Sequence, residues 1–145
     1  MFNPIDPKKN YFTKDDPSDL RLGNFFKPST LDQIKSPGFV LAGYPDDEGI
    51  QNNKGRPGAS LAPDRVRYIL SKMTPGFFKP LQEVYDLGNL NCSALPLPLR
   101  HEEALTSIHE VLKKNCRSIS IGGGHDYGYA DGAGFLKSIT NKDKK

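Results

Sequence analysis

A short β-branched run, Ser118-Ile-Ser-Ile121, leads into Gly122-Gly-Gly124 and then His125 and Asp126. Glycine has no Cβ, so such a loop can turn tightly and bring its backbone against a bound group. The imidazole of His125 then stands just past the end of an expected strand, where open α/β sheets place their ligands. A second cluster follows an earlier apolar run: Asp46, Asp47 and Glu48, then Asn52, Asn53 and Arg56. Two strands of one parallel sheet release their following loops at the same edge, so both clusters are expected to face one crevice. Carboxylates meeting an imidazole there suit a hard-to-borderline cation such as Mn²⁺. Plainer readings stay open beside this one. Asp46-Asp47-Glu48 also reads as a solvated turn, and Arg56 as a structural arginine that ties its loop down. His101 and His109 fall on the polar face of a helix and are expected to be solvated.

Other chemistries fail on spacing. A dinucleotide fingerprint counted from Gly122 needs glycine at 127, where the chain has Tyr127, and the Gly-Lys-Ser/Thr end of a P-loop is missing. No serine or cysteine occupies a nucleophile elbow.

The elements that must carry these loops are readable in order. Residues 1–37 are polar and proline-bearing and predict an arm lying over a core, with little regular structure of its own. Gly38-Phe-Val-Leu-Ala-Gly43 is a continuous apolar run between breakers, which suits a strand buried on both faces. The glycines and prolines of 44–58 forbid a long helix. Pro63 fits a first helical turn, and Val66, Ile69, Leu70 and Met73 give an amphipathic stripe. Glu83–Leu87 reads as a second strand. A helix over about Arg100–Asn115 carries a buried stripe of Leu105, Ile108, Val111 and Leu112, with Glu102 and Glu103 in its first turn. Arg117–Ile121 is the third strand, and a glycine-weakened helix starts near Asp126. The β-α-β-α-β-α order predicts an α/β fold in three layers around a parallel sheet of about three strands.

Several separate segments carry a resemblance. Ala42-Gly-Tyr-Pro-Asp-Asp-Glu-Gly49 and Asn53-Lys-Gly-Arg-Pro-Gly-Ala59 resemble the first strand and loop of the ureohydrolases, the family of arginase, agmatinase and formimidoylglutamase. Ala62-Pro-Asp-Arg-Val-Arg67 is similar to the helix start that follows, and Tyr85-Asp-Leu-Gly88 to the second strand. Ile121-Gly-Gly-Gly-His-Asp126 matches the family's first metal motif. Its His-Asp order, with Asp19-Leu-Arg-Leu-Gly23 in the arm, is closer to formimidoylglutamase. The resemblance implies residues 1–37 as an arm and 38–145 as the N-terminal part of a ureohydrolase domain. It implies Mn²⁺-dependent hydrolysis of a C–N bond in a small amidine substrate, N-formimidoyl-L-glutamate giving glutamate and formamide. His125 would be a metal ligand, with Asn53 and Arg56 lining the substrate pocket.

The family's further ligands lie in an Asp-x-His-x-Asp and a later Asp-x-Asp motif, and neither is in this sequence. The two Mn²⁺ ions of the family site would therefore find at most one ligand here, and the chain alone is expected to be inactive. The alternative is a non-catalytic fragment or pseudoenzyme that binds a partner: a complementary C-terminal chain, or a second copy by self-association.

Composition narrows the class further. With 20 basic against 17 acidic residues interspersed and no basic patch interleaved with aromatics, nucleic acid is not an expected partner. Lys142–Lys145 reads as a solvated tail. No apolar run reaches membrane-spanning length, so no membrane partner is expected. Cys92 and Cys116 have no metal spacing, and with no secretory leader they point to a reducing cytoplasm.

Overall fold

The computed structural model describes residues 1–76 and 82–140. The Lys142–Lys145 tail lies outside the described residues. Strand β3 (Gly38–Tyr44) is central and almost wholly buried, as its uninterrupted apolar run predicts. It pairs in parallel with β4 (Glu83–Leu90) on one side and β5 (Arg117–Gly122) on the other. The arm departs from expectation. It supplies two more strands, β1 (Phe2–Asn3) antiparallel to the end of β4 and β2 (Phe26–Pro28) parallel to its start. Strands of two or three residues are too short to show an alternating pattern, and it is the otherwise open edge of β4 that orders them. Tyr11, Phe26 and Ile34 of the arm enter the core.

Among the described residues five α-helices accompany the sheet: α1 (Pro7–Asn10), α2 (Glu48–Asn52), α3 (Ala62–Ser71), α4 (Leu97–Lys113) and α5 (Asp126–Thr140). Successive β3 side chains face opposite layers. Leu41 packs with Tyr11, Phe26 and Leu70, on the side of the arm and α3, whereas Val40 packs with Val111 of α4. Helices α4 and α5 lie together, and a Cβ at Gly134 of α5 would fall 2.8 Å from the Leu105 carbonyl of α4. The result is the expected three-layer α/β arrangement. Helix α4 starts at Leu97, with Pro98 in its first turn, so Glu102 and Glu103 fall beyond the turn that was expected to hold them.

The α3 stripe is a correction. Val66, Ile69 and Met73 are exposed, and the buried positions are Pro63, Arg67 and Ser71. The reason is polar. Arg67 is fully buried against the equally buried Asp86 of β4, with Nε 2.8 Å from Oδ2 and Nη2 3.0 Å from Oδ1. Its guanidinium also donates to the Gly88 carbonyl and to Asn89 Oδ1. Tyr11 donates to the same carboxylate at 2.9 Å, which fastens the arm to the network. Burial, then the Asp86 charge, raises the Tyr11 phenol far above its ordinary range, so it remains a donor.

Candidate functional site

The parallel register sets Gly43 beside Ile121 and Tyr44 beside Gly122, so the β3 and β5 loops do leave the sheet at one edge. Gly122 and Gly123 turn the chain with φ of +89° and +72°, a region that side chains strain to reach. His125 follows, and Asp126 opens α5. The second loop folds back as α2, whose Gly49 backbone lies against Asp126; a Cβ on Gly49 would meet Asp126 Oδ2 at 2.4 Å. Between them lies a cavity of about 190 Å³ lined by Gly49, Ile50, Asn53, Gly55, His125 and Asp126.

The structure thus brings His125, Asp126 and Asn53 to one wall system. It leaves out others. Arg56 and Asn52 are exposed and do not line the cavity. Each acid of the cluster is engaged by protein partners, although Glu48 stays exposed. Asp46 is buried; its Oδ2 accepts from Tyr127 Oη at 2.6 Å and Arg100 Nη1 at 2.9 Å, and its Oδ1 from the Glu48 N–H. Asp47 ties its loop by accepting from the backbone of Gly58 and Ser60 and from the Ser60 hydroxyl. Glu48 pairs with Arg100 at 2.8 Å.

Sequence reading missed three residues here. His101 is not solvated: its Nε2 lies 2.7 Å from Asp126 Oδ2 and its ring stands edge-on to Tyr127 at 4.8 Å. Arg100 bridges Asp46 and Glu48. Tyr127 lies buried, stacked on Tyr44 at 4.5 Å. Nothing in the sequence signalled these pairs, since Glu103 on the same helix was the nearer partner for Arg100. His109 also corrects the expectation, being buried on α4 with an unpaired Nδ1 among the described residues.

Burial pushes the Asp46 carboxyl up, but the Tyr127 hydroxyl, the Glu48 N–H and Arg100 outweigh it and hold the group below the ordinary carboxylate range. A carboxylate whose folded pKa is depressed stabilises the fold above its unfolded value of about 3.9 and loses that contribution as pH falls through the folded one. Asp46→Asn is therefore expected to cost about 2 kcal/mol at pH 7, typical of hydrogen bonds to a charged group. In urea melts at successive pH values the gap to the parent chain should close below about pH 4. A gap independent of pH would show that the carboxylate charge contributes nothing.

A dinuclear metal centre does not fit these residues by themselves. His125 offers one exposed imidazole, Asp126 is engaged by His101, and the other acids are held by protein partners. Among the described residues no three His, Cys, Asp or Glu side chains form a group that could hold an ion. None of the described helices is long and apolar enough to cross a membrane.

Comparison with known proteins agrees with the architecture. A formimidoylglutamase from Aeromonas hydrophila subsp. hydrophila is 29% identical over an alignment of 147 residues, covering 99% of this chain and 46% of that protein. One from Vibrio cholerae serotype O1 is 34% identical over 103 residues, covering 71% of this chain and 30% of its own length. Among solved structures, Trypanosoma cruzi formiminoglutamase with Mn²⁺ superposes with a TM-score of 0.71 at 27% identity, covering 83% of this chain and 41% of that one. Formimidoylglutamase from Bacillus subtilis shares the fold with a TM-score of 0.71 at 18% identity, over 88% of this chain and 41% of its own. The chain thus spans less than half the length of these relatives. The Arginase family model matches residues 37–144, the stretch that holds both cavity loops and all three long parallel strands, and so the chain belongs to the arginase family.

Proposed function

We propose that this chain is the N-terminal portion of a Mn²⁺-dependent hydrolase that cleaves a C–N bond of N-formimidoyl-L-glutamate to give glutamate and formamide. The observation that carries the reading is the convergence of His125, Asp126 and Asn53 on one cavity at the C-terminal edge of the parallel strands. In this reading His125 supplies one metal-binding imidazole, Asn53 contacts substrate from the cavity wall, and Arg56 reaches it from the exposed loop outside that wall. Mn²⁺ pairs supply a water nucleophile at neutral pH and offset developing charge; the rest of the donor set lies outside this chain. Both cysteines are free thiols, which suits the reducing cytoplasm.

The chain alone, given Mn²⁺ and formimidoylglutamate, is expected to release no glutamate above background. Calorimetry should show Mn²⁺ affinity no better than about millimolar, because one imidazole lacks the carboxylates that such a site requires. A micromolar site lost in His125→Ala would overturn that expectation. The positive test joins residues 1–140 to the C-terminal section of a formimidoylglutamase. The fusion should hydrolyse formimidoylglutamate in preference to arginine or agmatine, and His125→Ala should abolish the activity. Unchanged turnover in His125→Ala, or preference for another amidine, would sink the proposal. The second reading, a non-catalytic chain that binds a partner, is favoured by the edge of β5, which pairs with no further strand among the described residues. It predicts that a folded fusion stays inactive.

A further inference from the structure

Arg100 and His101 are consecutive on α4, and neither lines the cavity, yet each holds a different wall of it. Arg100 reaches Asp46 and Glu48 at the start of α2. His101 reaches Asp126, one residue beyond His125. Tyr127 closes the circuit by donating to Asp46 while its ring meets the His101 imidazole at 87°. A carboxylate serves as acceptor, and the His101 Nε2, 2.7 Å away, is the side-chain group placed to donate to Asp126. The carboxylate is wedged between two glycines: a Cβ at Gly49 or Gly124 would lie 2.4 Å or 2.3 Å from its oxygens. That wedge gives shape but no donor. His101 is the side chain that keeps Asp126 in it.

We propose that His101 is a positioning residue for this cavity. By fixing the Asp126 carboxylate against Gly49 it sets the loop bearing His125 relative to α2, the helix that Asn53 caps, while Arg100 anchors that helix at its start. The catalytic meaning of this clamp rests on the function proposed above, but the clamp itself is a property of the chain. Without the donor, Asp126 is released from the wedge and free to turn toward the His125 imidazole. The first turn of α5 then loses its anchor.

Amide exchange and imidazole NMR on the full labelled chain test this without metal or substrate. The informative amides are Tyr127 and Gly128, which donate to the Gly124 and His125 carbonyls at 3.1 Å and 3.0 Å. His101→Met keeps bulk against Tyr127 and removes the donor. It should speed exchange at those two amides about tenfold while β3 and β4 amides keep their protection. It should also shift the His125 ring signals. His101→Gln, whose amide can donate to Asp126, should restore both. Exchange within about twofold of the parent in His101→Met, or a selective loss that Gln does not repair, overturns the proposal. Should His101→Met not fold, His101→Gln decides alone: loop protection like the parent is expected, and loss confined to the loop refutes it. Failure here leaves the hydrolase reading to the fusion experiment.

Discussion

Replacing Arg67 by alanine is expected to remove a large share of the stability of this chain. Asp86 is wholly buried and accepts from Arg67 twice, from Tyr11 and from the Gly88 N–H. Deleting the guanidinium leaves a buried carboxylate without its counter-charge, a loss of about 3–5 kcal/mol. Native domains hold only about 5–15 kcal/mol in all. A urea melt of Arg67→Ala should show a shallow transition or none at 25 °C. Arg67→Lys keeps the charge and loses the planar fork that serves Asp86, Gly88 and Asn89 together, so it should fall between the two. Replacing the pair, Arg67→Met with Asp86→Leu, should recover part of the loss by removing the stranded charge, although the Tyr11 hydroxyl and Gly88 stay unpaired. A loss below about 1 kcal/mol in Arg67→Ala would show that the network is incidental to folding.

Self-association through β5 is the second large effect expected. This strand pairs with β3 on one side and with nothing on the other among the described residues. Its outer row of N–H and C=O groups pairs with no strand among the described residues, and although Arg117 puts one charge at its start, Ile119 is 41% exposed on it. Light scattering should show dimers or larger species whose fraction rises with concentration. Ile119→Lys should return the chain to a monomer, since a charge on an edge strand opposes strand addition. The C-terminal section of a formimidoylglutamase should compete for the same edge. A monomer at all concentrations, with a cooperative transition above about 5 kcal/mol, would show that the edge needs no partner.

The order of the three long strands and of helices α3, α4 and α5, the central burial of β3, the glycine turn before His125 and the meeting of both loops at one sheet edge were legible in the amino-acid sequence. Each follows from a local property: an unbroken apolar run, a run of glycines, or parallel topology that fixes where loops emerge. The family segments were legible for the same reason, being contiguous. Tertiary structure alone decided the rest. Asp46 meets Tyr127 across 81 positions and Arg100 across 54, and His101 meets Asp126 across 25. No periodicity within a single helix or strand encodes such pairs. On α3, Val66 and Ile69 of the expected apolar stripe lost the inward face to Arg67, because a guanidinium with a buried carboxylate waiting for it is more stable inside than out. The two arm strands arose likewise from the free edge of β4, which the residues of the arm do not themselves announce. Local pattern determined the scaffold and placed the histidine, while the charges that hold the cavity in shape were selected by partners that only folding brings near.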